Sequence, residues 1–229
     1  MISVIIAVSK GDKNIYQQIL SILPQLSFSD EVIVSDDRPG GMTERIVKRI
    51  AAEDSRVIWV EGKNKGNTAN LVNAIRHSKG DKIFFCDGKD VWLPDKVKRV
   101  TEAFEQGADI VVHNAYITDE ELNIKDYSFF DKYKADKNPL VNIFRNSYLL
   151  GCIAIERKLL KKIMPIPRSV PVVAQWIGIV GSLSGKISFV DIPVMYCRVG
   201  KRESFEQSFR NGSKTALIKK LYKRKFFGN

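Results

Sequence analysis

Gly80-Asp81-Lys82-Ile83-Phe84-Phe85-Cys86-Asp87-Gly88-Lys89-Asp90-Val91-Trp92-Leu93-Pro94-Asp95-Lys96-Val97 is the stretch on which the reading of this chain turns. Four apolar residues, Ile83 to Cys86, have the length and composition of a buried strand. They run straight into the acids Asp87 and Asp90. Trp92 and Pro94 are then expected to open a helix, proline being favoured at the first helical position. Val97, Val100 and Phe104 continue it at helical spacing. A strand that ends in carboxylates and turns into a helix is the unit from which ligand-binding α/β sheets are built.

The same unit recurs on the N-terminal side. Strands are expected at Ser3–Val8, Glu31–Ser35 and Val57–Val60, and a further one at Asp109–His113. Helices are expected between them: Asn14–Leu26 with Tyr16, Ile19, Ile22 and Leu23 inward; Thr43–Ala52 with Thr43 as N-cap; and Asn67–Ser78 with Leu71, Ala74 and Ile75 inward. Alternation of this kind implies an α/β fold, a mostly parallel Rossmann-like sheet covered by helices on both faces. Residues 117–140 show no clear period. Beyond them a strand is expected at Leu150–Ile155, a basic-faced helix at Lys158–Met164, a buried helix at Gln175–Ser184, and strands at Ile187–Val190 and Val194–Tyr196.

The chain of 229 residues suits one domain over 1–200 followed by a basic tail over 201–229. That tail holds nine Lys or Arg against two Glu, a net of +7 out of the chain's +11. Positive charge therefore belongs to the tail, and with no recognition motif a nucleic-acid partner is not expected. Within the tail, Leu217, Ile218, Leu221 and Tyr222 share a helical face flanked by Lys219, Lys220, Lys223 and Arg224. Residues 215–227 thus suit an anionic membrane surface, or else a basic helix docked on its own domain. The three cysteines, Cys86, Cys152 and Cys197, lack metal-ligand spacing and read as reduced core thiols of a cytoplasmic protein. Met1–Val8 is expected to be a strand and not a secretory leader. No run approaches the roughly 20 apolar residues that span a bilayer.

In order and spacing, these segments resemble family 2 glycosyltransferases of the GT-A fold, in particular bacterial polysaccharide-biosynthesis enzymes. The resemblance covers roughly residues 2–200. It rests on Ser35-Asp36-Asp37, Asn64-Lys65-Gly66-Asn67 with Asn70 and Ala74-Ile75, the quoted central stretch, Gly151-Cys152, Leu159-Leu160 with Pro165, and Gly185-Lys186-Ile187 with Asp191, Pro193 and Tyr196. It implies a hexosyltransferase acting on a UDP- or dTDP-sugar, with a glycan or lipid-linked acceptor, peripheral on the inner face of the membrane. Asp36, Asp37, Asn67 and Asp87 would face the nucleotide-sugar; carboxylates suit pyrimidine N–H and ribose hydroxyl groups. Alternatively, Asp36 and Asp37 cap a helix or shape a turn. His113, Trp92, Gly151 and Trp176 would lie on the acceptor side, with a purely structural histidine the simpler reading of His113.

The chain departs from the family pattern where the chemistry is done. Lys89 stands where the pattern Asp-x-Asp-Asp has its second Asp, and Val199 where a late His is common. A metal site is therefore not assigned, and Mg or Mn is disfavoured. Lys89 with Asp90 is the catalytic candidate, the ammonium offsetting charge on the diphosphate leaving group as a point charge. Alternatively Lys89 is a solvated turn residue and Asp90 a cap. Arg198 would reach a phosphate, or is a surface cation. Ala174 occupies the expected position of the base, and an alanine takes no proton; loss of a base costs about 10²–10⁴-fold in rate. Asp119 and Glu203 are the substitutes to consider. Ala7-Val8-Ser9-Lys10 replaces the family's early Pro-Thr-Tyr-Asn, so no aromatic stack on the base is expected. The rival to an enzyme is a catalytically degenerate glycosyltransferase-like protein that binds a glycan or partner subunit.

Overall fold

The computed structural model describes residues 1–8, 13–144, 146–167 and 169–199, so the basic tail lies outside the described residues. In chain order the elements are β1 (Ile2–Val8), α1 (Ile15–Ile22), β2 (Glu31–Asp36), α2 (Met42–Glu53), β3 (Val57–Glu61), α3 (Asn67–His77), β4 (Lys82–Cys86) and β5 (Val91–Trp92). There follow α4 (Lys96–Glu105), β6 (Ile110–Thr118), β7 (Ile124–Asp126), α5 (Phe129–Tyr133), α6 (Pro139–Phe144), β8 (Ile153–Glu156), α7 (Leu160–Ile163), α8 (Val173–Ser184) and β9 (Ile187–Arg198).

One sheet holds all nine strands in the order β3-β2-β1-β4-β8-β6-β9-β5, with β7 paired to β6. β1 is parallel to β2 and β4, β2 to β3, and β6 to β9. β8 runs antiparallel to both β4 and β6. Six strands (β1, β2, β3, β4, β6 and β9) therefore end at the same edge, where ligands of open α/β sheets bind.

Side-chain alternation along the central strands feeds two cores. Val4, Ile6 and Val8 of β1 face one core, built with Ile15, Ile19 and Ile22 of α1, Val47 and Ile50 of α2, and Val100 and Phe104 of α4. Ile5 faces the other, with Leu71, Ala74 and Ile75 of α3, Ile163 of α7, and Trp176, Ile177 and Val180 of α8. Helices thus cover both faces, as the continuous apolar strands require.

Several elements differ from the sequence reading. Ile15, not Tyr16, turns inward on α1, and Tyr16 is exposed. Gly41 is the N-cap of α2, and Thr43 is buried inside the helix. Trp92 opens no helix; it pairs with Met195 of β9, and α4 starts at Lys96 after a turn through Pro94. The strand expected at Asp109–His113 runs on to Thr118 because β9 continues beside it. Leu150–Cys152 forms a 3-10 turn before β8. The two late strands are one, β9, with register shifts against β6 at His113/Asn114 and Asn114/Tyr116 that take up extra residues of β9 on either side of Pro193.

Candidate active site

Asp36 is the last residue of β2 and is fully buried. Its Oδ1 accepts from the Arg38 backbone N–H at 3.0 Å, while Oδ2 is buried without a hydrogen-bond partner. The Trp59 indole N–H approaches the same carboxylate without reaching hydrogen-bond geometry. Burial is the main reason its carboxyl is held above the ordinary range. Asp37 does different work. Its two oxygens accept from the backbone N–H groups of Asn64 (2.7 Å) and Gly66 (3.0 Å), so it shapes the loop between β3 and α3. Gly66 has φ 86°, a left-handed conformation that favours glycine.

Two neighbouring clefts open beside this loop. The smaller, about 680 Å³, is lined by Asp37, Arg38, Glu61, Gly62, Lys63 and Asn64. The larger, about 950 Å³, shares Lys63 and runs along α3 past Asn67, Val72 and Arg76 to Met164 and Ile166. Behind the loop, Asn70 joins three segments: its amide donates to Val8 O (2.8 Å) and Ser35 O (2.9 Å) and its oxygen accepts from Ser35 Oγ (2.6 Å). Asn73, unremarked in the sequence, adds bonds to Ser35 Oγ and Glu61 O. Its spacing of three from Asn70 on one helix was the available signal.

The second half of the site is the corner after β4. Asp87 is exposed; Gly88 has φ 69°, and the Lys89 N–H donates to Asp87 O at 2.8 Å. Lys89 is half-buried. Asp90 is 2% exposed; its Oδ1 accepts from the Arg198 backbone N–H at 3.2 Å. A Cβ on Gly151 would come within 2.7 Å of its Oδ2, so only glycine fits there. Burial pushes the Asp90 carboxyl up to about 6, against the pull of Lys96 and Lys89. Asp90 caps no helix.

Lys96 is the residue that sequence reasoning missed. It is 1% exposed, donates to Gly151 O at 2.8 Å, meets Met195 Sδ at 3.3 Å, and lies 4.2 Å from the centre of the Trp92 ring. Burial pulls its pKa down, while the neighbouring Cys86, Cys152, Asp90 and Cys197 act the other way. All three cysteines are free and buried. Burial raises each thiol, Cys86 to about 12.

The residues assigned to an acceptor side do not form a surface. Trp92 packs against Phe84, and Trp176 donates its indole N–H to Ile163 O at 3.0 Å within the core. His113 is buried in β6, its Nδ1 3.0 Å from Asn114 O. Burial holds its pKa well below 6.5. The unfolded chain therefore binds a proton below pH 6.5 that the folded chain refuses, so this group's contribution to stability falls as pH drops from 6.5. Asp90 acts oppositely between about pH 4 and 6. Urea unfolding of His113→Gln between pH 7.5 and 5 should show a shallower loss of stability toward acid than the native chain. An equal slope would remove His113 from the balance.

Arg198 does not point at an open phosphate site. Its guanidinium donates to Glu120 O (3.1 Å), Lys89 O (2.5 Å) and Gln17 Oε1 (2.5 Å). Asp119 is tied into the turn after β6 by Asn123 and by Lys125, which helps hold its carboxyl down at about 2, poorly matched to a base. Glu203 lies outside the described residues. Ala174 is buried in the first turn of α8.

A divalent cation, which the family pattern implies, does not fit the corner. Asp90 has one oxygen on a backbone N–H and the other against Gly151; Lys89 stands between the two acids, and Val199 offers no ligand. Among the described residues no three His, Cys, Asp or Glu side chains gather as a metal group.

Comparison with known proteins agrees with this architecture. The putative glycosyltransferase EpsE of Bacillus subtilis is 32% identical over 107 residues, 46% of this chain and 38% of that protein. The undecaprenyl-phosphate 4-deoxy-4-formamido-L-arabinose transferase of Aeromonas hydrophila is 30% identical over 116 residues, 48% of this chain and 36% of that protein. The crystal structure of S. aureus TarS 1-349 in complex with UDP-GlcNAc superposes with TM-score 0.72 at 16% identity, covering 98% of this chain and 66% of that one. The chain thus spans well under half the length of these two curated relatives. The superposition gives the GT-A fold, and residues 3–164 match Glycosyl transferase family 2; the chain belongs to that family.

Proposed function

We propose that this chain transfers a sugar from a UDP- or dTDP-sugar to a hydroxyl of a glycan or lipid-linked saccharide, without a divalent metal. The observation that carries this reading is Asp36. A buried carboxylate oxygen without a partner, one residue before the cleft-lining Asp37, is an acceptor suited to a nucleobase N–H. Family membership supports glycosyl transfer, the UDP-GlcNAc complex of TarS supports a UDP donor, and the undecaprenyl-phosphate relative supports a lipid-linked acceptor. In the reaction the acceptor oxygen bonds to the anomeric carbon as that carbon's bond to the diphosphate breaks. The nucleoside diphosphate leaves with the electron pair, and the hydroxyl proton passes to solvent water, no side chain among the described residues being assigned as its base. Lys89 at the mouth of the corner opposes the charge on the leaving group. Among the described residues no helix is long and apolar enough to cross a membrane. Residues 215–227 would bring the chain to anionic lipid on the inner face of the membrane.

Ala174 favours a second reading, a glycosyltransferase-like binding protein without turnover, because no acid occurs between Met164 and Ser188. Calorimetric titration of UDP and dTDP in EDTA, repeated with manganese, tests the donor site. Binding in EDTA that manganese leaves unchanged is expected. Binding only with manganese would refute the metal-free corner, and no binding under either condition would leave the second reading.

A further inference from the structure

Arg198, at the end of β9, is 3% exposed and joins four segments. Its guanidinium holds Gln17 of α1, the carbonyl of Lys89 in the corner, and the carbonyl of Glu120 in the turn after β6; its backbone N–H holds Asp90. The three guanidinium acceptors are neutral oxygens, so none of these bonds cancels its charge. With Lys89 it sets two cations beside the acids Asp87 and Asp90, where the family pattern would set a divalent ion. A planar fork with five donors can satisfy several acceptors at once, which an ammonium cannot.

We infer that Arg198 is a positioning residue that takes over the bridging role of a divalent ion. It ties the corner 87–90 to the end of the last described strand and so sets the seat of the donor's diphosphate. This rests on the nucleotide-sugar reading above and names the group that makes a metal unnecessary. Its effect should fall on the diphosphate alone, because Asp36 and Asp37 on the nucleobase side share none of Arg198's hydrogen bonds.

Calorimetry in EDTA on the full chain, with UDP and UMP as probes, separates these roles. Arg198→Met should weaken UDP by about tenfold, the loss of a charged hydrogen-bond network, and leave UMP within about twofold. Gln17→Ala removes one arm at an exposed residue and should weaken UDP by a smaller factor, again sparing UMP. Arg198→Lys should behave like Arg198→Met. Unchanged UDP affinity in Arg198→Met, or equal losses for UDP and UMP, would overturn the inference. Should Arg198→Met not fold, Gln17→Ala decides, and unchanged UDP affinity there overturns it. A native chain that binds neither probe would instead refute the nucleotide reading beneath it.

Discussion

Lys96→Ala should cost about 3–5 kcal/mol of stability, the range seen when one member of a buried charge set is removed. For a chain of this size that lowers the melting temperature by roughly 6–20 °C. Three losses add. Gly151 O loses the donor at 2.8 Å, the Trp92 face loses its cation, and Asp90 keeps its burial without the charge that most stabilises its ionised form. Thermal unfolding of the native chain, Lys96→Ala, Asp90→Asn and the double variant checks this. The double variant should be more stable than the sum of single losses predicts, because Asp90→Asn removes the charge that Lys96→Ala leaves uncompensated. Strict additivity would mean that Lys96 serves only Gly151 and the packing.

Asp36→Asn should move stability and binding in opposite directions. The native carboxylate is buried, accepts only the Arg38 N–H, and is held above its usual pKa by desolvation. Removing its charge should leave the melting temperature unchanged or raise it. The same change places an N–H₂ where an acceptor is needed, and UDP affinity should fall by about 10–100-fold, as for loss of a hydrogen bond to a charged group. A desolvated carboxylate kept at a cost to the fold is what a functional site trades for stability. A variant that loses stability while binding UDP normally would assign Asp36 to the loop alone.

The parallel half of the sheet was readable because each of its strands is a continuous apolar run closed by a polar turn. The second half was not, because its pairings are made far along the chain. Two residues, Val91 and Trp92, cannot announce a strand whose partners are Tyr196 and Met195. The acids at the strand ends were visible, but not the division of labour between Asp36, left with an open oxygen, and Asp37, consumed by two backbone N–H groups. Lys96 stood in the quoted stretch without a role, because buried lysines are rare. Its phase on α4, in line with Val100 and Ala103, was the overlooked sign. Arg198 carried no local signal, since its partners lie 78 to 181 residues away.

The three thiols around Lys96 give the protein an internal clock. Cys86 stands on β4, Cys152 on the turn before β8 and Cys197 on β9, all enclosed and all with raised pKa values. A thiol reagent needs both access and a thiolate, so modification of the native chain counts only moments when the core around the thiols opens. Two strands and a turn are thereby timed separately, and local breathing of the core around Lys96 can be followed without introducing a label.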